Sequence, residues 1–324
     1  MVNKTTRVVA AALLALGMAG AQAAEVTLKA VSVFTMDTFF TKRFKQFVDK
    51  VNTEGKGLVQ INVIGGPEAI PPFEVGNALR SGVIDFANTT AVFHANLVPE
   101  ALALTLTEKP MSELRQNGGY ELMDKIHREK ANITWLARTT DGLQYHIYTN
   151  KPVTSADLSG FKLRGVPVYL SFFREIGATP LQIPPGEVYT ALERGVVDGY
   201  GWPSVGVMEM GWHEKTKYRV EPGFYNVEVG FFMNQKSWEK LDEDQKAFMR
   251  KQIEWMESQN VTEHQMAIDE KAATEQAGVQ ALVLEPEVAR ALRTKAYEAG
   301  WAGIDKSSPK YAAQLRELFG GYQP

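Results

Sequence analysis

Residues 25–33 (EVTLKAVSV) alternate between apolar and polar positions, the period of a strand with one buried face. From Thr38 to Val51 the period changes. Phe40, Phe44, Phe47 and Val51 recur at helical spacing, which predicts an amphipathic helix. Leu58 to Ile64 reads as a second strand, stopped by Gly65-Gly66-Pro67. Residues 117–130 predict a helix, and 143–149 a strand able to cross between two parts of the molecule. Residues 161–166 (FKLRGV) predict another strand, and 168–176 a helix ended by Gly177.

One pattern occurs twice. Residues 71–85 read PPFEVGNALRSGVID and residues 184–198 read PPGEVYTALERGVVD, with nine of fifteen positions identical and a separation of 113 residues. Only two copies exist, so this is no solenoid. In each copy prolines open a helix where a missing N–H costs nothing. A first-turn glutamate suits the helix dipole, and a glycine ends the helix before a short β-branched strand. The chain therefore holds two similar α/β halves, whose strand ends form a natural ligand crevice. Two cleft-facing segments follow, Asn88-Thr89-Thr90 and Tyr200-Gly201-Trp202-Pro203. Glu187 and Asp198 look like an acid/base pair, but Glu74 and Asp85 hold matching places, so the four are read as capping and turn-forming groups.

Between Phe231 and Ala277 there is neither Gly nor Pro. Asp242 and Gln245 have capping-box spacing, Met249, Ile253 and Met256 form a buried stripe, and Gly278 supplies the stop. A helix over 242–277 would run roughly 54 Å. That is longer than one lobe, so it would brace both. The alternative is two shorter helices meeting near Asn260.

The N-terminus changes the picture. Lys4 and Arg7 precede an apolar run from Val8 to Ala19, and Ala21-Gln22-Ala23 supplies an A-x-A ending. Residues 1–23 thus read as a secretory signal peptide cleaved near Ala23, too short to span a bilayer. No other segment approaches about twenty apolar residues, so no membrane insertion is expected. The chain has no cysteine, which excludes a lipidated N-terminus, a thiol nucleophile and a thiolate metal site. A periplasmic location fits an exported chain large enough to fold without disulfides. The formal charge is -3, and removing Lys4 and Arg7 makes it -5. That balance argues against a nucleic-acid partner.

The string DLSGFKLRGVPVYLSFFREIGATPLQIPPGEVYTALERGVVDGY (157–200) resembles the substrate-binding proteins of tripartite ATP-independent periplasmic (TRAP) transporters, the dicarboxylate-binding (DctP) type. The family pattern, a G-x-K-x-R strand followed by P-x-x-E-V-Y-x-A-L-x-x-G-x-V-D-G, runs here from Gly160 to Gly199. An early G-x-x-D strand, the long bracing helix and an L-x-P segment (Leu284 to Pro286) follow the family order. The resemblance implies an α/β fold of two lobes with a ligand cleft between them and one long helix bracing both. It implies transport of a small organic acid, with a small and a large TRAP membrane subunit as partners. Lobe I is expected over 24–148 plus about 236–278, and lobe II over 149–235 plus about 279–324.

The family's anchoring arginine maps onto Arg164, where a planar guanidinium fork would grip a ligand carboxylate as no lysine can. Departures narrow the ligand. Sialic-acid-binding members carry a second arginine about twenty residues earlier, where this chain reads Gly142-Leu143-Gln144-Tyr145-His146. Their asparagine falls near Trp202 and their glutamate near Thr90, so sialic acid is not expected. Members that bind 2-oxo acids through a metal carry an E-W pair, whereas Tyr200-Gly201-Trp202 offers no carboxylate, so neither metal nor cofactor is expected.

Phe34, Tyr145, Tyr169, Tyr189, Tyr200 and Trp202 lie in or near predicted cleft segments, and Trp202 and Tyr200 lead because glycine and proline mark theirs as a loop. Asp37, Asn88, Thr89 and Thr90 could bond ligand oxygens from the first lobe. One carboxylate clamp among aromatic walls suits a monocarboxylate with an aromatic or apolar body. A sugar acid of the uronate type and a ligand-sensing module for a signalling receptor remain open. An enzyme fits least: the five histidines are scattered, and no HExxH, nucleophile elbow or phosphate loop occurs.

Overall fold

A computed structural model describes residues 24–322. The expected signal peptide lies outside the described residues. The first part of the chain folds as β1 (Val26–Ser32), α1 (Phe39–Glu54), β2 (Val59–Gly65), α2 (Val75–Ser81), β3 (Phe86–Thr89), α3 (Met111–Gln116), α4 (Gly119–Ala131) and β4 (Ile133–Arg138). The middle part continues with β5 (Tyr145–Thr149), β6 (Lys162–Gly165), α5 (Pro167–Glu175), β7 (Thr179–Gln182), α6 (Val188–Glu193), β8 (Gly199–Pro203), β9 (Tyr218–Glu221) and β10 (Gly230–Asn234). The last part holds α7 (Gln235–Lys240), α8 (Glu243–Ser258), α9 (Glu263–Gln276), β11 (Gln280–Val283), α10 (Pro286–Ser307) and α11 (Ala312–Phe319).

Two sheets result, ordered β2-β1-β3-β10-β4 and β11-β9-β5-β8-β6-β7. In the first, β1 is parallel to β2 and β3, and β10 runs antiparallel to β3 and β4. In the second, β6 is parallel to β7 and β8, and β5 runs antiparallel to β8 and β9. The two lobes thus share one topology; the first takes its antiparallel strand β10 from beyond the second lobe, while the second takes β5 from the segment that follows the first crossing. This corrects the expected boundaries. The chain crosses at 139–144 and 222–229, so β5 lies wholly in the second lobe and β10 in the first. The C-terminal segment also departs from expectation, because α11 packs against α4 of the first lobe while α10 packs against α5.

The repeat explains the shared topology atom by atom. Pro72 and Pro185 each open a 3-10 turn that leads into α2 and α6. Gly82 and Gly195 end the two copies with φ of 76° and 66°, a backbone that favours glycine. Asp85 accepts a hydrogen bond from the Lys29 N–H of β1 (2.8 Å), and Asp198 accepts one from the Lys162 N–H of β6 (2.9 Å). Each aspartate therefore pins its turn to the neighbouring parallel strand, as the structural reading of the repeat requires.

The bracing helix comes in two pieces. The Asp242–Gln245 capping box forms in both directions. α8 buries Met249, Ile253 and Met256 on the first lobe, a 3-10 turn spans Gln259–Thr262, and α9 continues towards the second lobe. There Glu270 accepts a bond from the Met208 N–H (2.9 Å). The turn falls beside the crossing segments, where Asn260 accepts from Arg43 (2.9 Å) and donates to the Arg138 carbonyl (3.1 Å). Two helices meeting at Asn260, rather than one unbroken rod, is what the chain adopts.

Candidate functional site

β6 delivers Arg164 to the interior between the lobes, with no exposed surface. Its Nε donates to the Ile183 carbonyl (2.8 Å) and its Nη1 to the Gly201 carbonyl (3.2 Å). Its Nη2 has no partner, and no ion pair reaches the side chain among the described residues. Burial pulls its pKa down to about 10, so the group still carries its charge at neutral pH. The Arg164 Cζ lies 5.5 Å from the centre of the Trp202 ring, whose Nε1 is also buried without a partner. A buried guanidinium held by two carbonyls, with free donors beside it, is arranged to receive an anion.

Arg164 and Trp202 line a small cavity of about 20 Å³, together with Phe34, Phe40, Thr90, Val92, Phe93, Tyr145, Val166, Tyr169, Pro203 and Val229. Phe34 and Phe40 meet at a tilt with ring centres 4.7 Å apart, and Tyr145 meets Tyr169 edge-on at 5.1 Å. Burial drives both phenols well above their ordinary range, so they stay neutral. A second chamber of about 300 Å³ shares Phe34 and Trp202 with the first and opens toward the two proline turns of the repeat.

The structure gathers Arg164, Trp202, Phe34, Thr90 and Tyr145 around one cavity. It separates the others. Residues 199–203 form β8, not a loop, and every one of them is buried. Gly201 is there because the Tyr169 ring lies only 2.9 Å from where a Cβ would stand. Tyr200, two residues deeper along the strand, stacks on Tyr148 at 5.1 Å and bonds Thr216, so it belongs to the core. Asn88 donates to Ser32 Oγ (3.1 Å) and to the Phe40 carbonyl (3.2 Å), holding β1, β3 and α1 together. Thr89 is wholly buried within β3. Asp37 is exposed and lines neither cavity. Tyr189 donates to Glu214 (2.7 Å) away from the cleft.

Glu228 was missed. It accepts bonds from the Thr90 hydroxyl (2.9 Å) and the Ala91 N–H (2.7 Å), and its other oxygen has no partner. Burial pushes its pKa up to about 7 against those two bonds. The available signal was one acid inside the apolar run from Val227 to Met233.

The model of DctP, bacterial extracellular solute-binding protein family 7, matches residues 31–301. An uncharacterized protein of Sinorhizobium fredii is 29% identical over 211 residues, covering 62% of this chain and 39% of that protein, so the match spans about two fifths of its length. A solute-binding protein of Roseobacter denitrificans is 25% identical over 238 residues, 71% of this chain and 73% of the relative. A TRAP periplasmic solute binding protein from Desulfovibrio salexigens, solved with bound orotic acid, superposes with a TM-score of 0.81 at 23% identity over 90% of this chain and 97% of its own. Among the described residues no helix is long and apolar enough to cross a membrane. With the family pattern lying inside the matched residues and the two-lobed fold built from them, the chain belongs to the DctP family, bacterial extracellular solute-binding protein family 7.

Proposed function

We propose that this protein captures a small monocarboxylate with a flat aromatic or apolar body and delivers it, from the periplasm, to a TRAP permease of one small and one large membrane subunit. The carrying observation is Arg164, a fully buried cation with no carboxylate partner and an unpartnered Nη2 at a cavity between the lobes. Leaving such a charge uncompensated is expensive, and a ligand carboxylate supplies the counter-charge. The Nε and Nη1 bonds fix the guanidinium plane, so Nη2 and the Trp202 Nε1 are left as donors for the bound acid. Thr90 brings the first lobe to the same cavity, so one ligand touches both lobes and favours their contact. Phe34 and Trp202 continue from this cavity into the adjoining chamber of about 300 Å³, whose largely apolar lining suits an apolar body better than a chain of hydroxyls. Orotic acid, bound by the Desulfovibrio salexigens protein, shares the single carboxylate and the flat ring, though its ring is polar.

A thermal-shift screen against organic acids, sugar acids, neutral solutes and amines tests the reading. A ligand at one hundred times its Kd adds about 2.7 kcal/mol, a shift of several degrees for a chain of this size. Acids that raise Tm and lose their effect in Arg164→Met carry the proposal. A shift from neutral or cationic solutes alone, with every acid silent, overturns it.

A further inference from the structure

The space beside Arg164 is about 20 Å³, room for little more than one water-sized group. One oxygen of a carboxylate fits there; the body of an organic acid does not. The neighbouring chamber of about 300 Å³ has the volume that ligand sites need. Phe34 and Trp202 are walls of both spaces. We propose that the two form one divided ligand site, in which Arg164 holds the carboxylate and the proline-lined chamber takes the apolar body. This rests on the arginine site read above and adds where the rest of the ligand goes.

The chamber is built by the internal repeat. Pro71 and Pro72 line it from the first lobe, and Pro184 and Pro185 from the second. The two 3-10 turns therefore face each other across the cleft, and their four proline rings, without N–H donors, form part of walls that Pro67, Phe73 and Met210 extend. Glu187 is the one charged group in the lining and is exposed at its edge. A second carboxylate on the ligand would meet that like charge, so the chamber selects an apolar end over an anionic one.

The two copies of the repeat differ at the place that matters. Where the first copy has Phe73, which also lines the chamber, the second has Gly186. Phe73 packs edge-on against Phe93 at 5.1 Å. A Cβ built on Gly186 meets nothing within 4 Å, and its φ lies outside the left-handed region, so neither strain nor crowding demands glycine there. What glycine provides is volume. A phenylalanine at both positions would fill the chamber from both sides.

The test compares the Kd of propanoate, 4-phenylbutanoate and adipate by calorimetry for the wild type, Gly186→Phe and Arg164→Met. The wild type should hold 4-phenylbutanoate at least tenfold tighter than propanoate or adipate. Gly186→Phe should remove that margin by weakening 4-phenylbutanoate far more than propanoate. Arg164→Met should weaken all the acids that bind. A margin that is absent, or that survives Gly186→Phe in a folded variant, overturns the divided site and leaves the arginine anchor standing. Acid binding that is indifferent to Arg164→Met, or wholly absent, overturns the anchor and the divided site together.

Discussion

The two lobes place different residues at one and the same position. β1 pairs with β3 as β6 pairs with β8, and the two aspartates of the repeat bond Lys29 and Lys162 alike. Carrying that register one step along, Ala30 opposite Phe86 corresponds to Leu163 opposite Gly199, and Val31 corresponds to Arg164. Both are fully buried. In the first lobe the position is filled by an apolar side chain and the sheet is complete. In the second it holds a cation that finds two carbonyls and no acid. The fold does not ask for an arginine there; the proposed ligand carboxylate would account for its presence.

Removing the difference should have the largest effect. Arg164→Met makes the second lobe resemble the first. Binding of the acid should weaken by about two orders of magnitude or more, since a charged hydrogen-bond partner is lost in a dry site. The unliganded protein should be as stable as before or gain about 1–4 kcal/mol, because replacing a buried charge by an apolar side chain is often favourable. Arg164→Lys keeps the charge but loses the fork and should rescue little. Calorimetry and thermal melts read both halves. A variant that melts far below the wild type would show that Arg164 is part of the scaffold.

Glu228, which lines neither cavity but bonds the cavity-lining Thr90, sharpens the comparison. Near Thr90 the first lobe meets a carboxyl that burial holds at about 7, so that face carries no committed charge at neutral pH. The sign follows from the raised value. Between pH 4.5 and 7 the native protein keeps a proton that the unfolded chain gives up, so stability falls as pH rises through this window and then levels. The change is about 3 kcal/mol for a shift of this size. Glu263, pushed up to about 8 by burial beside Arg43, adds a slope of the same sign that reaches slightly higher pH. Denaturant melts from pH 4.5 to 8.5 should show the decline, Glu228→Gln should flatten its lower part, and an unchanged profile would mean that Glu228 is ionised in the fold.

The aspartate twins test the half of the comparison in which the lobes agree. Asp85→Ala and Asp198→Ala each leave a strand N–H without its partner, at about 1–2 kcal/mol. The two losses should be similar and ligand affinity should stay within about twofold. Collapse of binding in Asp198→Ala with the fold intact would return that residue to the site.

How much of this was legible in the chain follows from where each signal resides. The repeat shows two alike lobes because its prolines, glycines and aspartates act on local backbone. The capping box and the Met249–Ile253–Met256 stripe likewise lie within one helix. The strand exchange was invisible, since nothing in Gly230–Asn234 says which sheet it will join; pairing is decided by partners far along the chain. Trp202 and Tyr200 look equal in sequence and sit on one strand. Only the depth of each along β8 separates a cavity wall from a core ring, and the glycine between them was read as a loop signal when it is a seat for Tyr169.

The smallest effect concerns how the lobes hold each other. Thr38 precedes α1 without capping it by its side chain, and α1 has no acid in its first turn. That place is taken from across the cleft. Glu209 of the second lobe accepts a bond from the Phe39 N–H (2.6 Å) and from Lys42 Nζ (2.9 Å). The anion therefore sits on the helix's positive end only while the lobes touch. Lys42 is largely exposed, so its share is small and salt-sensitive. Together the contacts are worth about 0.5–1 kcal/mol in favour of lobe contact. Glu209→Gln should speed ligand release about two- to fivefold at low ionic strength with little change in the association rate, and the difference from wild type should shrink in high salt. Stopped-flow traces following tryptophan fluorescence would measure it. A release rate identical in both proteins at low salt would mean that the lobes hold together through the ligand and the apolar walls alone.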